Sequence, residues 1–358
     1  MELSKRDATL LKGFSIIIIV MHNVLRHVQP VLDGEFKLKS GGVLILFSSI
    51  YHDPIGIINY LISYAGWYFI IFFIFITAYG CSKKLIKLTS YIELIIHQYA
   101  KTIPLLIIGG VVLFFLKEYS AREIANAILF KIIGLDNLTF SSVYDVVGVW
   151  WYLGLFFQLC LLVPFIYKLQ QKINSTILFV FSYVIIYAVY FGSEKISIFA
   201  TAIGHIPEII MAIKWSIDGF KPRVLFFAFF CFIFVLSIFI PYAFPFTYVS
   251  FLYISLTVFL FSKKLMSNFK GIIEFLLFAG KISPYMFVVN GIISGLVIEK
   301  IQLITMKMPP FLLQVNSLWV LVGTLMHVVG VIAISTMLYA LFNNLIFEFS
   351  KKTIKILQ

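Results

Sequence analysis

Thr9-Leu-Leu-Lys-Gly-Phe-Ser-Ile-Ile-Ile-Ile-Val-Met-His-Asn-Val-Leu-Arg-His-Val28 decides the fold class of this chain. As a helix rising 1.5 Å per residue, its twenty residues cover about 30 Å, the thickness of the hydrocarbon layer of a bilayer. The run shows no strict apolar/polar alternation, which argues against a barrel strand. It carries Lys12, Ser15, His22, Asn23 and Arg26 within an Ile/Val-rich background. Such groups are costly in lipid, so they predict a helix whose polar stripe faces the interior of a bundle.

The rest of the chain repeats the pattern. Of its 358 residues, 61% are hydrophobic and only 12% are charged, too few to clothe a soluble domain. Apolar runs predict spans at about 9–28, 64–82, 101–117, 147–167, 175–192, 199–215, 223–241, 244–262, 281–299 and 318–344. The expectation is an all-α, polytopic membrane bundle of about ten transmembrane helices forming one domain over 1–358. The net charge of +12 does not form a continuous patch, which argues against nucleic acid. Lysines and arginines collect in alternate loops, with roughly a two-to-one bias to the side of both ends. That bias predicts cytoplasmic termini, in what reads as a bacterial cytoplasmic membrane. The first span runs into polar residues without a small-residue cleavage site and reads as a span, not a cleaved leader. Cys81, Cys160 and Cys231 lie in or beside apolar runs, and no Cys/His spacing suggests zinc or a disulfide framework.

Two outer connections are long. Residues 29–63 contain Gly41–Ser49, apolar but too short to span, expected at the interface or re-entering the protein. Residues 118–146 carry Arg122, Asp136 and Asp145, which read either as contacts to an acceptor or as a solvated loop. In the sixth span, Pro207 between His205 and Glu208 suggests a broken helix beside a cavity.

Chemistry is densest in the first span. At 100° per residue, Ser15 and His22 fall within about 20° of one another. His22 lies ten residues beyond Lys12, about 15 Å along the axis, so Lys12 belongs at the rim and His22 near mid-bilayer. A neutral imidazole there suits general-base work, whereas the bland alternative is a hydrogen bond to a neighbouring helix. His27, at the span end, reads as a solvated residue, and His327 in the last span as a helix–helix hydrogen bond.

The segment Leu11-Lys-Gly-Phe-Ser-Ile-Ile-Ile-Ile-Val-Met-His-Asn23 resembles the opening helix of the acyltransferase family 3 of integral-membrane O-acyltransferases. Three further stretches resemble that family in order: Phe73-Ile-Phe-Ile-Thr-Ala-Tyr-Gly-Cys-Ser-Lys-Lys84, Tyr99-Ala-Lys-Thr-Ile-Pro104, and Trp150-Trp-Tyr-Leu-Gly-Leu-Phe-Phe-Gln-Leu-Cys-Leu-Leu-Val-Pro164. Weaker echoes are Gly204-His-Ile-Pro-Glu208 and Gly280-Lys-Ile-Ser-Pro-Tyr-Met-Phe-Val-Val-Asn290. The sequence departs from the pattern at Asn23, Thr77-Ala78, Phe156-Phe157 and Asn290, so the resemblance is to a divergent member.

The resemblance implies transfer of an acyl group, usually acetyl, from acetyl-CoA or another acyl-CoA to a hydroxyl of a surface glycan or lipid-linked sugar. It implies no metal. His22 and Lys12 would be the catalytic residues, with His22 as base or transient acyl carrier. Lys12, Lys101, Lys83 and Lys84 would meet the coenzyme A phosphates, and orientation by charge bias alone is the plainer reading of Lys83 and Lys84. Asn23, Arg26, Gln158 and Asn290 would serve the substrate. Trp150 and Trp151 offer aromatic faces to a sugar ring or form an interfacial belt. The partners expected are membrane lipid, acyl-CoA and a carbohydrate acceptor, and oligomeric state is left open. A glycan or lipid transporter or flippase, or a glycan polymerase, is the competing reading. A transporter should show half-helices or an internal repeat, and a polymerase a cluster of outer arginines.

Overall fold

The computed structural model describes residues 2–29, 41–86, 90–116, 119–138, 148–192, 196–306 and 316–357. Lys37, Lys39, Lys87, Lys117, Glu118, Asp145, Lys195 and Lys307 lie outside the described residues. The regular elements among the residues described are all helices, as expected of backbone that must satisfy its own hydrogen bonds in lipid. In chain order the helices are α1 (Lys5–Val28), α2 (Gly42–His52), α3 (Ile57–Ala65), α4 (Ile70–Leu85), α5 (Tyr91–Leu116), α6 (Ala121–Ile132) and α7 (Trp151–Gln170). They continue with α8 (Ser175–Gly192), α9 (Ile206–Asp218), α10 (Val224–Phe239), α11 (Thr247–Met266), α12 (Lys270–Met306) and α13 (Asn316–Leu357).

Eight helical stretches among the described residues are long and apolar enough to cross a membrane: Lys5–Val28, Pro54–Leu85, Tyr91–Leu116, Trp151–Gln170, Ser175–Gly192, Pro241–Lys263, Lys270–Leu303 and Asn316–Ser350. The expected seventh span is the shorter α10, whose 16 residues cover about 24 Å. The expected sixth span is interrupted. Tight 3-10 turns at Ile198–Ala200 and Ala202–His205 flank an extended Thr201, and α9 starts only at Ile206. Pro207 lies in the first turn of α9, where its missing N–H leaves no bond unmade, so it starts the helix and does not kink it.

Both long connections contain helix in their described parts. Residues 41–63 hold α2, an apolar eleven-residue helix with Leu44, Phe47 and Tyr51 exposed, then a 3-10 turn at Pro54–Gly56 and most of α3. Residues 119–138 hold α6, started by a reciprocal capping box between Ser120 and Glu123. The hydrogen bonds from Ser120 hold the Glu123 carboxyl below its usual range.

The chain divides into two compact units, interleaved in sequence. The first comprises Met1–Ala8, Phe73–Lys221 and Met337–Gln358. Its core includes the fully buried Trp150 and Phe157, the latter 4.6 Å from the Tyr99 ring, and a Ser82–Ser216 hydroxyl pair at 2.6 Å. The second unit comprises Thr9–Phe72 and Pro222–Thr336. Aromatic rings pack there around Trp67 and Tyr68: Trp67 stands edge-on to Tyr248 at 5.1 Å, and Tyr68 stacks on Phe251 at 5.3 Å. Also in the second unit, α1 and α12 cross backbone to backbone. A methyl on Gly13 would strike the Leu276 carbonyl, and one on Gly280 the Thr9 carbonyl. Two small residues set this crossing, as is usual where helices approach closely in membranes.

Candidate active site around His22

The polar stripe of α1 faces inward, as its spacing predicts. Ser15, His22 and Asn23 are buried and Lys12 is half-buried, whereas Phe14 on another face is 44% exposed. Arg26 is half-buried and donates from Nε to Nε2 of the exposed His27 at 3.2 Å.

His22 is held from two directions. Its Nδ1 lies 3.0 Å from the Ile62 carbonyl oxygen at the end of α3. A carbonyl can only accept, so Nδ1 carries the proton and Nε2 is the basic nitrogen of the neutral ring. Gly66 abuts the ring's root, where an added methyl would fall 2.6 Å from His22 Cβ and 3.2 Å from Nδ1. The 3-10 turn Gly66–Phe69 therefore comes close to α1 only because residue 66 has no side chain. Sequence reasoning missed both contacts, because they bring His22 against residues some forty positions away.

A second missed group ties the end of α1 to its neighbours. Gln29 donates to Ser317 Oγ at 2.6 Å, and Asn59 donates to Gln29 Oε1 at 2.8 Å and to the Ser317 carbonyl at 2.7 Å. Ser63 donates to the Gln29 carbonyl, and Ser317 and Tyr60 both donate to Asp53. These bonds fix α3, and with it the Ile62 carbonyl. Asn290, expected at the substrate, instead bonds His327: the ring's Nε2 lies 2.9 Å from its Oδ1, and both side chains are buried. The bond joins α12 to α13, the role expected of His327.

The remaining expected residues lie in the first unit. Lys83 points to Glu2, 2.9 Å away, and this ammonium holds the Glu2 carboxyl below its usual range. Lys84 is exposed, and it and Lys5 are close enough to repel the half-buried Lys101. His97 lies one turn before Lys101 on α5, 3.4 Å from Ser350 Oγ. This unit therefore gathers Lys5, Lys84 and Lys101 from three helices, a basic group suited to phosphate. Lys12 belongs to the other unit.

Trp150 and Trp151 are 1% and 7% exposed, so they pack in the core of their unit and do not form an outward platform. Gln158 is occupied at both ends of its amide, donating to the Gly134 carbonyl at 2.7 Å and accepting from the Ala202 N–H at 2.8 Å. Asp136 is not in a solvated loop. It is buried and pairs with the buried Lys131 at 2.5 Å, while Asn137 donates to the Trp151 and Ala200 carbonyls. His205 donates from Nε2 to the Phe199 carbonyl and turns Nδ1 toward Glu208, 3.7 Å off, both side chains being buried.

Among the described residues no three His, Cys, Asp or Glu side chains converge as metal ligands would. The cysteines are free thiols, Cys81 and Cys160 buried and Cys231 half-buried. No protein-family model, curated protein or solved structure matches the chain.

Proposed function

We propose that this integral membrane protein is an O-acyltransferase, moving an acyl group, acetyl in the first instance, from acyl-CoA to a hydroxyl of a surface glycan or lipid-linked sugar. The observation that carries the reading is the setting of His22. A buried imidazole on the opening helix has its tautomer fixed through the Ile62 carbonyl, with Nε2 as its basic nitrogen. A thioester is already activated, so transfer needs a base, alignment and charge stabilisation more than a cofactor. Nε2 would take the proton of the acceptor hydroxyl as its oxygen attacks the thioester carbonyl. The C–S bond then breaks, and the thiolate of coenzyme A leaves and is protonated. The motif resemblance assigns the donor's phosphates to Lys12, Lys101, Lys83 and Lys84, and within the first unit Lys5 adds a further cation near Lys84 and Lys101. The motif resemblance along the sequence supports the same chemistry.

The topology proposed with it has ten crossings, counting α10 and the interrupted segment Ile198–Asp218, and both ends in the cytoplasm of a bacterial cell. The Lys/Arg bias supports that orientation. The test is mass analysis of host glycans in strains carrying wild-type protein or His22→Ala. The expected result is loss of acylation by about 100-fold or more, the usual share of a general base, at unchanged protein level. Full acylation in the His22→Ala strain would end the reading.

One observation favours a transporter instead: the broken Ile198–Asp218 segment carrying the buried His205–Glu208 pair. Transport of a lipid-linked glycan into vesicles that is lost on Glu208→Gln, without any acyl product, would select that reading.

A further inference from the structure

One end of the α10–α11 pair opens into a cleft of about 430 Å³. Its walls are Val224 and Phe227 of α10 and Val258, Phe261 and Leu265 of α11, with Thr257 and Ser262 donating their hydroxyls to carbonyls of their own helix, and among the described residues no carboxylate lines it. Val224 and Phe261 are 86% and 73% exposed, so the cleft lies on an apolar outer face, where the solvent of a membrane protein is lipid. The residue at its polar end is Arg223. That residue is anchored by its backbone, which donates to the Tyr253 hydroxyl at 3.1 Å. Its guanidinium stands 5.6 Å over the Phe226 ring, and among the described residues no carboxylate forms an ion pair with it.

We propose that this cleft is a binding site for an anionic phospholipid, with one acyl chain between α10 and α11 and the phosphate on Arg223. An apolar slot ending in a cation matches an amphiphile with a negative head and does not match a polar metabolite. A guanidinium meets phosphate through two parallel N–H donors, which an ammonium cannot do. The site is independent of the acyl-transfer reading, because none of its residues takes part in that chemistry.

The test is native mass spectrometry of the detergent-purified full chain, offered equal amounts of dioleoyl phosphatidylglycerol and dioleoyl phosphatidylcholine. Wild-type protein should retain phosphatidylglycerol about fivefold over phosphatidylcholine, the value of one basic side chain at a lipid surface. Arg223→Gln should bring the ratio close to one, and Arg223→Lys, which keeps the charge but loses the paired donors, should keep only part of it. Val258→Trp, which fills the cleft at an exposed position, should lower retention of phosphatidylglycerol while the ion series stays that of folded protein. Equal retention by wild type, or an unchanged ratio in Arg223→Gln, would overturn the site. So would displacement of the bound lipid by millimolar glycerol phosphate, since a head without chains would then suffice.

Discussion

The environment of His22 rests on a residue with no side chain. Gly66→Ala puts a methyl 2.6 Å from His22 Cβ, so either the 3-10 turn or the ring must move. The expected outcome is a loss of about 1–3 kcal/mol in thermal unfolding of the purified protein, the range for overpacking. If His22 is the base, acyl transfer should fall at least tenfold in protein that remains folded, because a base displaced by 1 Å loses alignment. Unchanged melting and activity would show that the close approach does not matter. The inward stripe of Ser15, His22 and Asn23 was legible in the sequence, since 100° periodicity on an apolar helix leaves polar side chains only one tolerable face. Its partners were not. Ile62 contributes a carbonyl and Gly66 an absence, and neither leaves a chemical signature in a string of letters. Asn290 and His327 were each visible as a buried polar residue, but their pairing across 37 positions was not. Replacing each and both with Ala should give a coupling energy of about 0.6 kcal/mol and no more than about 1.7, as for interhelical bonds in membranes.

Helices in lipid gain little from hydrophobic contact with one another, so their crossings depend on shape. Gly13 and Gly280 let α1 and α12 meet backbone to backbone, and neither carbonyl facing them can move aside as a flexible side chain could. Gly13→Ala or Gly280→Ala should each destabilise the protein by at least about 2 kcal/mol in detergent. Gly330→Ala is the control, because open space surrounds Gly330 within α13 and the change should be neutral or gain up to about 1 kcal/mol of helix propensity. A Gly13→Ala protein that melts like the control would sink the account of the crossing. Among the elements, the long uniform runs read correctly from hydropathy alone, Ser175–Gly192 to the residue. The interrupted segment before α9 read only in part: Pro207 suggested a broken helix, but the composition is apolar enough for a span and the break lies ahead of Pro207, at Ile198–His205. Asp136 read as an acceptor contact or a solvated loop charge, whereas the turn at Gly134, with φ of 72°, folds it and Lys131 into the core. Lys131→Ala strands a buried carboxylate and should cost about 3–5 kcal/mol in thermal unfolding, whereas Lys131→Met with Asp136→Leu should recover most of it.

For the whole molecule, the proposed ten crossings turn on two segments that are not ordinary spans. α10 is about 24 Å long, short of a ~30 Å core, and can cross only if the bilayer thins or flanking residues reach the interface. The Ile198–Asp218 segment can cross only if protein shields its irregular backbone, and the burial of Ile198, Phe199 and Ala200 supplies such shielding. The burial of Lys131 bears on orientation as well. This lysine counts toward the outer side in the charge bias, but an ammonium neutralised by Asp136 is not a loop charge, so the asymmetry sharpens without it. Parity can be read directly, on a cysteine-free background, from Glu2→Cys, Lys352→Cys and Arg122→Cys, all at exposed positions. A membrane-impermeant maleimide should label Arg122→Cys in intact cells, and Glu2→Cys and Lys352→Cys only after permeabilisation. Opposite behaviour of the Glu2 and Lys352 variants would mean an odd number of crossings, so that one of the two irregular segments stays on its own side. Labelling of both in intact cells would reverse the orientation, and would set Lys5 and Lys84, beside those ends, where no acyl-CoA pool could reach them.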